Sequence, residues 1–348
     1  MKRVIVAVAI ISMLLTSCKT EQKFLNDDGV IKIGFIPETM TVERWQRDRE
    51  IFVAKAKELG AEEVLVKNAY EDTELQKEIA KDMVDAGVDV LVIIAYDKDA
   101  LTDIVEYAHQ NNVKVIAYDR LIRNANVDLY ISFDNYRVGE LMGQAAYAAV
   151  PQGKYLFLNG PETDNNVYMI RDGYLSIIQP AIDSGDIVVM GETYISAWRD
   201  EVSYEYMSDK IGEFDFDVII AGNDRVAEGA INALSENRMS GDIFVTGQDA
   251  EIAACQRIVE GTQGMTVYKP IDVLAEGAAE CAVKLALGED IGPCSKISDG
   301  KYMVDYIAYE PISVNADNML DTIIKDGFYT IEQVYANVPK DQWPTEKK

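Results

Sequence analysis

Four apolar runs in this chain each give way to polar or charged side chains: VKVIAY to Asp119 and Arg120, DVIIAG to Asn223 and Asp224, DIFVTG to Gln248 and Asp249, and GMTVY to Lys269. In an open α/β sheet the positions just past the carboxyl ends of the strands line the ligand crevice, so these groups converge from distant parts of the chain. The set is Asp, Asn, Arg and Lys, without a nucleophile and base pair. Carboxylate, amide and guanidinium are planar and can each engage two neighbouring hydroxyls, and charge strengthens such bonds. This chemistry suits a neutral, hydroxyl-rich ligand.

The elements that must carry these groups alternate regularly. KIGFIP, EVLVKN, VDVLVIIAYD and VKVIAYD read as strands, separated by helical patterns over 43–59, 73–86 and 100–110. A second set follows YISFDN: helices over 136–149, 166–184, 201–211, 226–235, 252–260 and 271–287 interleave with GKYLFLNG, DIVVMGETY, DVIIAGND, DIFVTGQDA and GMTVYKP. Strands lie around MVDYIAYEPISV. Such alternation means βαβ units with helices on both sheet faces. The strands are too many for one typical sheet, so the fold expected is α/β with two similar doubly wound parallel-sheet lobes.

Composition sets further bounds. The 348 residues suit two domains, and 48% hydrophobic with 26% charged residues is ordinary for a soluble protein. The formal net charge is −26, and loss of Lys2 and Arg3 with a leader 1–17 would leave −28. Such acidity argues against nucleic acid as a partner. Lys2 and Arg3, the apolar stretch from Val4 to Leu15 and the small residues before Cys18 form an export signal too short to span a bilayer. LTSC at 15–18 resembles the bacterial lipobox, which implies cleavage before Cys18, lipidation of Cys18 and attachment to a membrane through that lipid. Residues 18–30 would then be a tether, on the periplasmic side of the envelope. Cys255, Cys281 and Cys294 show no metal-ligand spacing, and His109, the single histidine, lies in a helical pattern. No cofactor or metal is expected.

VERWQRDREIF at 42–52, VDVLVIIAYD, AYDRLI at 117–122, YISFDN, DNN at 164–166, GND at 222–224, GQDA at 247–250 and GMTVYKPI together resemble the pentose and hexose binding proteins that feed ABC transporters. The likeness runs in order from about 31 to about 330. It implies the type I periplasmic binding protein fold: two lobes joined by three hinge crossings, with 31–136 plus 270–304 in one lobe and 137–269 plus 305–340 in the other. It implies a monomer that closes on one monosaccharide, D-xylose ahead of related pentoses and hexoses, and hands it to an ABC permease or to a membrane sensor. The sugar contacts it implies are Arg44, Trp45, Asp119, Arg120, Asp164, Asn166, Trp198, Asn223, Asp249 and Lys269, with the two indoles over the sugar faces. The chain departs from the pattern at Pro37, Glu38, Thr39 and Met40, a loop expected to bear on pentose against hexose.

Other readings exist. An aspartate after a parallel strand is often a helix cap, which applies to Asp249, and Asp224 reads as a cap or a support for Asn223. A sugar-responsive repressor would need a helix-turn-helix where this chain has an export signal. A two-carboxylate glycosidase needs an acid that holds its proton, whereas Asp119, Asp164 and Asp249 each stand to be paired with Arg, Lys or Asn.

Overall fold

The computed structural model describes residues 29–344, so Cys18, the leader and the tether up to residue 28 lie outside it. The first set of elements is β1 (Lys32–Ile36), α1 (Glu43–Glu58), β2 (Glu63–Val66), α2 (Thr73–Asp85), β3 (Val90–Ile93), α3 (Thr102–Gln110), β4 (Lys114–Tyr118) and β5 (Leu129–Phe133). The second is α4 (Asn135–Ala149), β6 (Gly153–Asn159), α5 (Asn165–Ser184), β7 (Ile187–Tyr194), α6 (Asp200–Lys210), β8 (Val218–Ala221), α7 (Asp224–Glu236), β9 (Phe244–Val245), α8 (Ile252–Glu260) and β10 (Thr266–Tyr268). The chain continues through α9 (Ile271–Ala286), β11 (Ser295–Ser298), β12 (Met303–Tyr309), β13 (Ile312–Val314) and α10 (Ile331–Val334).

The first lobe holds a seven-stranded sheet in the order β11-β12-β5-β4-β3-β1-β2, parallel except for β11. Successive residues on a strand face opposite sides, and both sides are buried. Leu91, Ile93, Val115 and Ala117 pack with α2 and α3, while Val90, Val92, Ile116 and Tyr118 pack with α1 and α9. The second lobe has a parallel four-stranded sheet, β7-β6-β8-β9, with Tyr155, Phe157 and Ile220 against α4 and α5 and Leu158, Ile219 and Ala221 against α6 and α7. The lobes are therefore alike in plan and unequal in width. β10 pairs antiparallel with β13 in a separate two-stranded ribbon.

The chain passes between lobes after β5, after β10 and after β12. The last passage falls later than the boundary expected at 304, because β12 stays paired with β5 through Tyr309 opposite Phe133. Residues 305–309 thus belong to the first sheet. Beyond β13, Met319, Ile323, Val334 and Tyr335 pack on Cys255 and Ile258 of α8, in short turns with no period to announce them.

Candidate functional site

The carboxyl ends of the strands of both sheets face one cavity of about 540 Å³ lined from both lobes. All ten residues expected at a ligand site lie in its lining.

The wall from the first lobe is a chain of buried charges. Helix α1 turns Trp45, Asp48, Phe52 and Ala56 inward, so a carboxylate sits in an otherwise apolar stripe. Arg44, one residue before Trp45, donates to Asp119 Oδ1 at 2.7 Å and reaches Asp249 Oδ1 of the opposite lobe at 3.5 Å. Burial works against its charge, but Asp119, Asp48 and Asp249 more than offset this and hold the guanidinium firmly protonated. Burial likewise penalises the Asp119 carboxylate, yet Arg44 and Lys269 keep its pKa below the ordinary value. Asp119 adopts φ 61°, a left-handed conformation that Asp tolerates better than most residues. Asp48, behind Arg44, accepts from the Tyr118 hydroxyl, and burial pushes it up to about 7.

Glu38 was not among the ligand contacts expected from the sequence. It lies in the loop that departs from the family pattern, where a role in sugar choice was expected. Its carboxylate pairs with Arg120 and accepts from Trp45 Nε1 at 3.1 Å, so the loop supports two cavity residues from behind. Burial raises its pKa, against the pull of Arg120. Trp45 is only 4% exposed, with the Arg44 guanidinium 4.5 Å from its ring centroid.

The wall from the second lobe uses helix starts. Asp164 caps α5 by accepting from Asn166 N at 2.9 Å, and its other oxygen takes Trp198 Nε1 at 3.3 Å and Arg120 Nε at 3.0 Å. Asn166 lines the cavity, but its amide already donates to Asp119 O at 3.0 Å and accepts from Tyr130 at 3.1 Å, tying the lobes together. Trp198 leans on Gly160: a Cβ there would stand 2.2 Å from the indole ring, so only glycine admits it. Asn223 caps α7 through Oδ1, 2.9 Å from Val226 N, which leaves its amide nitrogen for the cleft.

Asp249 does not cap the helix that follows it. The cap position of α8 is Glu251, without a side-chain cap bond, and Asp249 instead pairs with Lys269 Nζ at 2.6 Å. Gln248, not among the expected sugar contacts, accepts from Lys269 at 3.0 Å and donates to Gly222 O at 2.8 Å. Asp224 is buried beneath this wall, bonded by Gln263, Thr266 and the Glu251 amide, and burial raises it to about 7. Glu251 lines the cavity and is pushed up to about 8 by burial and then by Asp224 and Asp249. Gln248 stood among the polar residues expected past β9, whereas no signal in the sequence distinguished Glu251 from other helix-start polar residues.

The cavity thus offers carboxylates paired with cations, amide groups and two indoles, an array for neutral hydroxyls. Among the described residues no group of three or more His, Cys, Asp or Glu could hold a metal ion, and His109 lies on α3, bonded to Asp128. No described helix is long and apolar enough to cross a membrane.

The periplasmic binding protein domain matches residues 33–290. The chain is 42% identical over 320 residues to the D-xylose-binding periplasmic protein of Escherichia coli, covering 91% of this chain and 95% of that one. It is 41% identical to the protein of that name from Haemophilus influenzae, covering 88% and 92%. Among solved structures, an ABC transporter solute binding protein from Clostridium phytofermentans with bound β-D-glucose superimposes with a TM-score of 0.80 at 26% identity, over 87% of this chain and 99% of that one.

Proposed function

The chain belongs to the periplasmic binding protein family, and on that premise we propose that it captures a monosaccharide, D-xylose first, between its two lobes and delivers it to the permease of an ABC transporter. The observation that carries this reading is the convergence of Arg44, Trp45, Asp119 and Arg120 from one lobe with Asp164, Trp198, Asn223, Asp249 and Lys269 from the other on a single cavity. Asp119, Asp164 and Asp249 act as hydroxyl acceptors, fixed in place by ion pairs with Arg44, Arg120 and Lys269. Arg120, Lys269 and the Asn223 amide supply donors. The indoles give apolar area to the C–H faces of the ring at little entropy cost. A missing hydroxyl then leaves a buried partner unsatisfied, at about 1–3 kcal/mol, which makes the site selective. The function is binding without catalysis, and Asn166 acts as a tie between lobes rather than as a main sugar contact.

The D-xylose assignment rests on the names of the two relatives, and the glucose in the solved structure marks the hexose as the competitor. Thermal melting with xylose, glucose, ribose, arabinose and galactose decides between them. Xylose at about 100 times its dissociation constant should add about 2.7 kcal/mol of stability. A larger shift with glucose transfers the assignment to hexoses, and no shift with any of the five sinks the reading.

The chain works as a monomer on the periplasmic side of the envelope, held to a membrane by lipid on Cys18. Cys18→Ala should leave the protein unlipidated and in the soluble fraction. Retention of that variant in membranes would show that a protein contact is the anchor.

A further inference from the structure

We propose that Glu71 and Arg199 form a latch at the rim of the cleft that sets how long a bound ligand stays, without touching it. This inference rests on the closing-lobe reading above and adds residues to it. Arg199 Nη2 lies 2.8 Å from Glu71 Oε2, across the gap between lobes. The ion pairs deeper in the cavity have side chains no more than 16% exposed, whereas Arg199 is 54% exposed and Glu71 25%. Both residues belong to the cavity lining, and their exposure places the pair at its rim.

Its position in the topology gives it leverage. Glu71 lies between β2 and α2, and Arg199 between β7 and α6. β2 is the edge of the first sheet, four strand spacings from β5, where a crossing leaves; that is about 19 Å. β7 is the edge of the second sheet opposite β9, the strand to which β10 and its crossing are hydrogen-bonded through Gly264 N and Val245 O. Rotation at the crossings moves this pair farther than contacts near them, so it must break on opening.

The backbone on both sides is specially set. Tyr70 and Glu71 have φ of 53° and 61°, and Ala197 and Trp198 have φ of 52° and 54°. Left-handed non-glycine residues persist only where their surroundings fix them. Glu71 N donates to Glu38 O at 2.7 Å, and Trp198 bonds Asp164, so each half of the latch is braced on a residue that organises the cavity. A loop shaped this way presents its charge at a fixed place and costs little further ordering when the lobes meet.

An exposed ion pair contributes modestly and is screened by salt, which fits a rate-setting contact better than a structural one. Stopped-flow measurement of sugar release should show Glu71→Gln and Arg199→Gln each releasing about two- to fivefold faster, with the association rate nearly unchanged. The charge-exchanged Glu71→Arg/Arg199→Glu variant should return to within about twofold of the parent. Small-angle scattering of the ligand-free proteins should show a larger open fraction in the single variants. Release rates and scattering that match the parent would overturn the latch, as would an exchanged variant no better than the singles. If no monosaccharide binds the parent chain, the proposed function fails, and the scattering comparison alone then decides the latch.

Discussion

The two walls of the cleft are built on different principles. On the first-lobe side, Glu38, Arg44, Asp48, Asp119 and Arg120 hold one another in a buried network, so each charge depends on its neighbours. On the second-lobe side, Asp164 and Asn223 draw their positions from the helices they cap, and Trp198 from the space above Gly160. A network of buried charges fails as a unit, whereas a capping residue shares its work with a whole helix. The first wall should therefore couple binding tightly to stability, and the second should allow the two to be separated.

Glu38→Ala tests that contrast most severely. It leaves Arg120 buried with one carboxylate fewer and frees the Trp45 N–H, and breaking a buried pair in this way costs about 3–5 kcal/mol. Urea denaturation should show that loss, and sugar binding should vanish with it. A cost below about 1 kcal/mol would mean that the network relaxes as easily as the opposite wall.

Gly160→Ala acts next in size. The added methyl group collides with the indole, and overpacking of this kind costs about 1–3 kcal/mol. Because the collision displaces Trp198 itself, affinity should fall at least tenfold while the far-ultraviolet dichroism of the folded chain stays the same. Unchanged affinity would remove Trp198 from the sugar site.

Each wall also rests on one buried carboxylate raised to about 7 from 3.8, Asp48 in the first and Asp224 in the second. Such a group holds its proton in the folded state where the unfolded chain has released it. Its contribution to stability is full below pH 3.8 and is lost as pH rises through about 7. The melting temperature of the ligand-free protein should accordingly be a few degrees higher at about pH 6 than at about pH 8. Asp119, with its pKa lowered, works in the opposite sense, and its contribution is lost only in acid. Asp48→Asn and Asp224→Asn should each flatten part of the dependence, and a melting temperature that rises toward pH 8 would refute the assignment for both.

The smallest effect separates the two jobs of one residue. Asn223→Ala removes the cap of α7 and should cost about 1 kcal/mol, while Asn223→Asp keeps the cap oxygen and restores that stability. Both lose the amide donor, so both should bind sugar poorly. Full affinity in Asn223→Asp would assign the residue to capping alone.

The contrast between walls also explains what the sequence made legible. The alternation of apolar strands and amphipathic helices specified the βαβ units, and the polar residues after β4, β8, β9 and β10 were visible because a parallel sheet delivers its strand ends to one side. What escaped was decided by partners distant in sequence. Glu38 looked like a residue of a variable loop because its role appears only when Arg120, 82 positions later, folds against it. Asn166 looked free for a ligand because nothing local shows that Asp119 O and Tyr130 engage its amide. The late third crossing was marked by Glu310 and Pro311, the break between β12 and β13, rather than by the boundary expected at 304. Asp249 after β9 was expected as a ligand contact with a helix cap as the alternative; it makes no cap bond to α8 and pairs with Lys269.

The central claim is that the two walls close on one sugar and return it unchanged. Calorimetric titration of the purified chain with D-xylose tests it most directly, with the sugar afterwards recovered and identified. The account predicts saturable binding of one xylose per chain, tighter than any other pentose or hexose, and recovery of intact sugar. Absence of binding to every monosaccharide tried, or conversion of the sugar into another compound, would contradict it.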